Sequence, residues 1–526
     1  MAHGDRGELR LAELVAAFSL GTDLGLGQPM EHVLRSWRIA AGLGERIGLD
    51  ESEQAALYYV ALLAWVGCVA DSYEVATWFG DDIAFRADSY EVDLAGLPMI
   101  GFMLRHVGAG SSALHRLRLA SMFITTRGRA VQRGLTSHCI STAHLAERLG
   151  LGPDVCEPLK QMFARWDGKG VPPSLRGDEI AMSIRLFHVA DVVEVHYRRH
   201  GVDTALDVAR ERRGAQFDPN IVDEFCRHAH DLLPTTDEET DWIALIDAEP
   251  GLRTRLTQPE IDNALEAVAD FTDLRSPYFA GHSRGVADLA AAAAHETGLP
   301  EPEAMLTRRA GLLHDIGTHG IPATILDKSG PLTAAERERI RLHPYYTERM
   351  LARPALLAQL GTIAASHHER PDGSGYHRAL SGATIPMSAR LLAAADAYHA
   401  MTEPRAYRPG MPADSAAKEL HSAVTSGLLD GEAVDGVLAA AGHKRRKRRS
   451  RPGGLTLREV EVLTLIARGA SNRQVARALN ITPKTAGTHI ERIYIKIGAS
   501  TRAAATLFAV QHGLLDPTSE GLSDAE

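Results

Sequence analysis

The third quarter of the chain writes histidine and aspartate into the apolar faces of helices, and few folds tolerate that. Val286, Leu289, Ala290 and Ala293 recur at i, i+3, i+4 and i+7, the period of a helix buried along one side, and His282 extends the stripe one turn earlier. Leu306, Ala310, Leu313 and His314 repeat the pattern, and Leu392 lies one turn before Asp396. A buried carboxylate without a partner is costly, so Asp315 and Asp396, both in Ala- and Leu-rich helices, require positive charge or donors facing them. Any one of these histidines alone reads as an ordinary core residue. With His343, His367 and His368 the set reaches seven side chains of metal-ligand type. Adjacent helical residues diverge by about 100°, so the pairs His314-Asp315 and His367-His368 suit a centre wide enough for two ions with one carboxylate between them. Two ions about 3.5 to 4 Å apart, with a hydroxide between them, polarise a phosphoryl group and stabilise the leaving oxygen of an in-line displacement. Mixed imidazole and carboxylate donors accept Fe, Mn, Zn or Ni.

Five runs surround these positions: His314-Asp-Ile-Gly, Leu326-Asp-Lys-Ser-Gly-Pro-Leu-Thr, Arg341-Leu-His-Pro, His367-His-Glu-Arg-Pro-Asp-Gly-Ser-Gly-Tyr and Ala395-Asp396. Together they resemble an HD-GYP domain, a branch of the HD metal-dependent phosphohydrolases, over about residues 270 to 442. The resemblance implies an all-helical fold, two divalent ions with Fe or Mn ahead of Zn or Ni, and cyclic di-GMP or a related nucleotide phosphodiester as substrate. Carried over, His282, His314, Asp315 and Asp396 hold one metal, and Asp315, His343, His367 and His368 the other. Asp315 bridges them as the catalytic carboxylate.

The chain departs from the family at three places. Thr318 stands where a phosphate-binding Lys usually follows His-Asp-x-Gly, which removes a charge-assisted contact; Lys328 is the candidate substitute. The signature Gly-Tyr-Pro reads Gly375-Tyr376-His377, with Tyr376 retained as a substrate contact. Tyr278 replaces a Glu that binds a third metal in some members, so two metals are expected. Arg405 and Arg408, in Arg405-Ala-Tyr-Arg408, are further candidates for phosphate binding.

The C-terminus carries a signal of another class. Thr456-Leu-Arg-Glu459 and Ser471-Asn-Arg-Gln474 are capping boxes, each opening an apolar-periodic helix. Thr482 and Pro483 supply an N-cap and a proline at the first helical position, and Gly498 ends the segment. Asn480, Ile481 and Thr482 make a turn of helix-turn-helix length. From Leu455 to about residue 515 the chain resembles the LuxR-type DNA-binding domain, with Ala486 replacing a usual Val. The resemblance makes Pro483 to Ile497 the recognition helix, with Ala486, Ile490, Ile493 and Ile497 inward. Lys484, Thr485, Thr488 and Arg492, with Arg473 on the preceding helix, are then offered to double-stranded DNA.

Charge follows the same division. Residues 443 to 526 hold 15 Lys plus Arg against 7 Asp plus Glu, a balance of +8; with the whole chain at −10, the first 442 residues carry −18. Lys444-Arg-Arg-Lys-Arg-Arg-Ser-Arg451 is a basic linker ahead of the reader.

The first half repeats the second. Arg165-Trp-Asp-Gly-Lys-Gly matches Arg370-Pro-Asp-Gly-Ser-Gly at an offset of 205, and Leu175, Gly177, Ile180, Met182, Ser183, Arg185, Leu186, Ala190 and Asp191 fall on identical residues at the same offset. At an offset of 250, His32 pairs with His282, and Leu62-Leu63-Ala64-Trp65-Val66-Gly67 with Leu312 to Gly317. This copy looks like a degenerate HD-type domain. His32, His138 and Asp191 remain at ligand positions, but Ala64, Trp65, Met162 and Phe163 replace His314, Asp315, His367 and His368, so its surviving polar residues read as structural.

The organisation expected is all-α: a degenerate HD-type domain at 1–240, an HD-GYP-like domain at 255–442, a basic linker at 443–454, a four-helix LuxR-type domain at 455–517 and a tail at 518–526. An acidic seam at 237–241 and a connector to 250 divide the copies. Cys68, Cys139, Cys156 and Cys226 lack CxxC spacing, which fits reduced thiols in the cytoplasm. No apolar run has the length of a membrane span, so no membrane partner is expected. The expected protein is a homodimeric DNA-binding regulator that hydrolyses a cyclic dinucleotide. A non-catalytic nucleotide sensor, with metal as ligand scaffold, is the alternative; a phosphohydrolase whose DNA domain only localises it is a third.

Overall fold

The computed structural model describes residues 9–110, 112–125, 129–233, 255–443, 454–479, 481–499, 501–512 and 514–515. The acidic seam and connector at 237–250, the basic run at 444–451 and the tail at 518–526 lie outside them. The described residues are helical, with isolated bridges and no strand, and the chain divides into two compact units at residue 444.

The first unit contains both copies, and the repeat in sequence is a repeat in structure. Helix Glu51–Leu63 and the 3-10 turn Val66–Cys68 recur as Glu301–Leu313 and Ile316–Gly320, 250 residues on. The 3-10 turn Gly177–Glu179 and the start of helix Met182–His200 recur as Gly382–Thr384 and the start of Met387–Thr402, 205 residues on. The helices His32–Ile47 and His282–Glu296 each begin after a left-handed residue, Glu31 at φ 77° and Gly281 at φ 79°. Neither residue caps its helix with a side chain. A buried aspartate on the preceding helix does that work: Asp23 Oδ1 accepts the Val33 N–H at 3.0 Å, and Asp273 accepts the Ser283 N–H at 2.9 Å and its hydroxyl at 2.6 Å. Both copies keep this device, so it belongs to the fold.

The copies share one core. Leu14, Val15 and Phe18 of helix Leu11–Gly25 lie in the same apolar cluster as Phe271, Ile316 and Met350, and the Phe18 ring meets Phe271 edge-on at 6.3 Å. Such continuous burial makes the first copy part of the scaffold of the second.

The second unit packs helices Leu457–Ala467, Asn472–Leu479, Pro483–Ile497 and Arg502–Gln511 around Val462, Leu463, Val475, Ala486, Ile493 and Ala505. The capping box at Thr456 and Glu459 forms with bonds of 2.8 and 3.2 Å. Thr482 caps the next-to-last helix through the Thr485 N–H at 3.1 Å. Gly498 ends that helix at φ 64°, a left-handed conformation suited to glycine.

Candidate metal centre

Four helical segments and the turn after a fifth helix carry the seven ligand-type side chains to one place. His282 opens its helix, His314 and Asp315 lie at the join between helix Glu301–Leu313 and its 3-10 turn, His343 opens helix His343–Met350, and Asp396 sits within Met387–Thr402. His367 and His368 follow the end of helix Ala355–Ala364. Gly317 lets the turn after Asp315 approach the His343 helix, because a Cβ there would meet Thr347 N at 2.7 Å. Thr347 fastens the approach, accepting the Gly317 N–H at 3.1 Å and donating its hydroxyl to the His314 carbonyl at 3.1 Å.

Asp315 stands between two groups of imidazoles. Its Oδ1 faces His343 Nε2 at 3.4 Å and His367 Nε2 at 3.7 Å; its Oδ2 faces His314 Nε2 at 3.5 Å and His282 Nε2 at 3.9 Å. Asp396 Oδ1 lies 3.3 Å from His282 Nε2 and 4.0 Å from His314 Nε2. The His368 ring completes the second group, 4.0 Å from that of His367 and 5.0 Å from that of His343.

Tautomers test whether cations fit. The Nδ1 atoms of His314, His343 and His367 donate to the carbonyls of Gly311, Ile340 and Ala364 at 2.8, 2.6 and 2.6 Å. A carbonyl only accepts, so each neutral ring keeps its hydrogen on Nδ1 and turns an Nε2 lone pair into the cluster. His343 Nε2 and His367 Nε2 then face each other at 3.1 Å with no hydrogen between them. His314 Nε2 and His368 Nδ1 are buried without a hydrogen-bond partner among the described residues. Lone pairs converging in this way fit cations. Charge states divide the cluster: burial and neighbouring imidazoles push His367 and His368 well below the usual histidine range and burial lowers His343, whereas burial would lower His314 but the charges of Asp315 and Asp396 raise it, so that a cation there would displace its proton. Burial would raise Asp315, but His314, His343 and His367 hold it down at about 2; burial would likewise raise Asp396, which the His282 hydrogen bond and the His314 charge hold well below its usual value. Neutral imidazoles and ionised carboxylates are the forms that bind metal.

The substrate candidates differ in what holds them, Arg405 included, whose Nη1 donates to the Tyr278 carbonyl at 2.5 Å. Lys328 Nζ is held by Glu336 at 2.6 and 2.8 Å. The Thr318 hydroxyl donates back to the Asp315 carbonyl at 2.6 Å. Arg408 donates to the carbonyls of Ala400, Met401, Glu403 and Pro409, closing the end of the Asp396 helix. Arg405, by contrast, reaches the centre: Nη2 lies 3.3 Å from His282 Nδ1, and the guanidinium covers Phe279 at 4.9 Å. Tyr376 lies over His368 at 4.8 Å, and the Arg341 guanidinium lies 4.8 Å from the Tyr376 ring. Glu369 accepts the N–H groups of Arg378 and Leu380 at 2.7 and 2.8 Å, and His377 Nε2 pairs with Glu348 at 2.8 Å, so the altered Gly-Tyr-His loop is tied down.

Sequence reasoning missed three residues here. His399, one turn beyond Asp396, places its Nδ1 3.0 Å from His282 Nδ1, and burial and the His282 charge lower it to about 4. Its spacing of three from Asp396 on one helix was the available signal. Arg341 lay inside a quoted motif, and Asp273 is one turn and a loop ahead of His282.

The first copy fills the equivalent space with its own side chains. Trp65, in Asp315's place, donates its indole N–H to Asp191 Oδ1 at 3.0 Å; His32 Nε2 meets the same oxygen at 3.1 Å, and His32 Nδ1 meets Glu194 at 2.5 Å. Phe163 packs against Trp65 and His138 at 5.9 and 4.9 Å. A second group, Cys68, Asp71 and His138, has metal-ligand composition. There both His138 nitrogens are engaged, with Asp71 at 3.2 Å and the Ala64 carbonyl at 3.0 Å, and the Arg86 guanidinium already sits on Asp71 at 2.5 Å.

That replacement makes the first copy sensitive to alkali. Burial would lower His32, but the charge of Glu194 raises it to about 10; a raised histidine stabilises fully below its unfolded value near 6.5 and loses that contribution as pH climbs to about 10. Burial raises Asp23 to about 7, so its ionisation also disfavours the fold as pH rises from about 4 to 7. The thermal midpoint of the first unit is expected to fall between pH 7 and 10, and His32→Gln to flatten that slope. Equal slopes for the two proteins would refute the pairing as its cause.

On helix Pro483–Ile497, Lys484, Thr485, Thr488 and Arg492 are exposed, as is Arg473 on the helix before it, while Ala486 and Ile493 are buried and Ile490 and Ile497 half-buried.

Comparisons agree with these two parts. Residues 266–433 match the family model described as HD domain, and residues 454–509 the model described as bacterial regulatory proteins, luxR family. The 3'3'-cGAMP-specific phosphodiesterase 3 of Vibrio cholerae is 29% identical over 424 residues, covering 79% of this chain and 92% of that protein. A cyclic di-GMP phosphodiesterase of Thermotoga maritima is 36% identical over 181 residues, 34% of this chain and 48% of that protein. Among solved structures, a cyclic GMP-AMP specific phosphodiesterase of Vibrio cholerae superposes with a TM-score of 0.58 at 26% identity, covering 83% of this chain and 98% of that one. Residues 266–433 are thus an HD domain and residues 454–509 a helix-turn-helix domain of the LuxR family, and the homologues of the chain are HD-GYP cyclic-dinucleotide phosphodiesterases.

Proposed function

We propose that the chain is a DNA-binding transcription regulator whose HD domain holds two divalent cations and hydrolyses a 3'3'-cyclic dinucleotide. The observation that carries the reading is Asp315, whose two oxygens address two separate imidazole groups. His282, His314, Asp396 and Asp315 Oδ2 would hold one ion; His343, His367, His368 and Asp315 Oδ1 the other. Two such ions supply Lewis-acid polarisation of the phosphoryl group and an ionised water. The chain supplies the rest. The backbone carbonyls behind His314, His343 and His367 fix ring orientation, His399 orients His282, and Tyr376 with Arg341 offers a flat, cationic surface beside His368 for a base or phosphate. Arg405 brings a second cation to the opposite group. The long match to a 3'3'-cGAMP-specific enzyme puts 3'3'-cGAMP beside cyclic di-GMP as the first substrates to test.

The test is the full chain loaded with Mn or Fe and incubated with 3'3'-cGAMP, cyclic di-GMP and a linear phosphodiester. Hydrolysis of a cyclic dinucleotide supports the proposal. Two bound metals without product would favour a nucleotide sensor, the reading to which the engaged Lys328 and inward Thr318 lend support.

For the reader, Lys484→Ala or Arg492→Ala is expected to weaken operator binding by about 1 to 3 kcal/mol where the side chain contacts a base. Fluorescence anisotropy on an operator duplex measures it, and unchanged affinity for both variants would reject Pro483–Ile497 as the reading helix.

A further inference from the structure

The first copy is longer than the second in one place. His32 and His138 are 106 residues apart, whereas the equivalent His282 and His343 are 61 apart, and the added length includes a helical hairpin, Gly96–His106 and Ala113–Thr125. One side of it packs: Phe102, Met103 and Leu119 join Phe79 and Val107 in a small separate core. The other side faces out. Leu97 is 83% exposed, Leu114 80% and Leu117 68%, with Ile100 and Leu104 also exposed, so both helices present leucines at i, i+3 or i+7 spacing to solvent. Isolated exposed leucines are ordinary, but four leucines and an isoleucine on one hairpin mark an interaction surface.

Charge identifies the kind of partner. From Leu94 to Ala146 there is no Asp or Glu and there are six Arg, a balance of +6 inside a region whose first 442 residues total −18. Arg105, Arg116 and Arg118 lie on the hairpin itself and are exposed. Arg116 Nη2 also donates to the Arg105 carbonyl at 2.5 Å, tying the helix ends together. A second copy of this face would oppose arginine to arginine, and nucleic acid offers nothing to bury leucines. We propose that the hairpin docks the protein on an anionic lipid surface, with Leu97, Leu114 and Leu117 entering the acyl boundary and the arginines among the headgroups. Lying on a membrane needs no spanning segment, and no single helix described is long and apolar enough to span one.

The test is co-sedimentation of the full chain with vesicles of phosphatidylcholine alone and of phosphatidylcholine with about 30% phosphatidylglycerol. Binding is expected only to the anionic vesicles, weakened by high salt, and reduced about tenfold or more by Leu97→Asn with Leu114→Asn and Leu117→Asn. Those side chains are solvent-facing, so the thermal midpoint should hold, and Arg105→Gln with Arg118→Gln gives an independent variant. Absent or composition-independent binding would overturn the proposal. So would a dimer-to-monomer change in the triple variant without vesicle binding, or a loss of affinity for non-operator DNA in either variant.

Discussion

Asp315→Ala is expected to lower cyclic dinucleotide hydrolysis by about a thousandfold or more, and to do so with the fold intact. The magnitude follows from position. Removing any ligand from one group leaves the other group whole, but Asp315 serves both, and residues that act as a unit lose most of the activity when one is removed. The substitution also leaves His282, His314, His343 and His367 without the carboxylate that faces each of them within 4 Å. Two readouts are needed: product formation by chromatography and bound metal by elemental analysis. The expected result is a metal content reduced from two per chain together with lost turnover. Asp396→Ala should retain more metal, since Asp396 faces only His282 and His314. Wild-type turnover by Asp315→Ala would reject the bridging role.

The gathering of seven His and Asp side chains was legible because these residues break a rule that the rest of the helices obey. A titratable side chain on a buried stripe needs a reason, and His282, His314 and Asp396 announce themselves against their leucine and alanine neighbours. The repeat was legible from identities in register, and the structure places the element starts at the same two offsets. The helix Pro483–Ile497 was legible from its caps, since Thr482, Pro483 and Gly498 mark both ends. Substrate contacts were harder to read. Lys328, Arg405 and Arg408 are equivalent as sequence, each a cation near a motif, yet one is consumed by Glu336, one closes a helix end and only Arg405 reaches a ligand. Which partner claims a long flexible cation depends on carboxylates and carbonyls brought near by tertiary packing. His399 and Asp273 escaped for the same reason: each acts through another residue, across a helix pair that sequence does not show to be adjacent. The shared core was the larger omission. Two copies of a fold read as two domains, whereas Phe18 and Phe271 belong to one cluster.

That shared core leads to the second large effect, Asp82→Ala, in a residue of the first copy. Asp82 is fully buried, with Oδ2 at 2.9 Å from the guanidinia of both Arg86 and Arg275 and Oδ1 accepting the Ala323 N–H at 2.8 Å. Arg275 belongs to the second copy and donates also to Ser72 and to the Ile321 carbonyl. One carboxylate therefore joins the first copy to the segment that follows Asp315 and its 3-10 turn. Its loss would remove the carboxylate that Arg275 pairs with and leave Arg86 to Asp71 alone, and breaking a buried ion pair by removing one partner costs about 3 to 5 kcal/mol. The urea midpoint of the first unit should fall accordingly, and metal affinity with it, because Ile321 to Ala323 lose their anchor. Replacing both sides, Asp82→Leu with Arg275→Met, should recover much of the stability, since an apolar pair of similar volume needs no partner charge. Recovery of stability without recovery of metal binding would assign the Asp82 contact to Ala323 as the one that positions Asp315. A cost under about 1 kcal/mol for Asp82→Ala would mean that this carboxylate contributes little to holding the two copies together, and would reject it as the link between the first copy and the turn after Asp315.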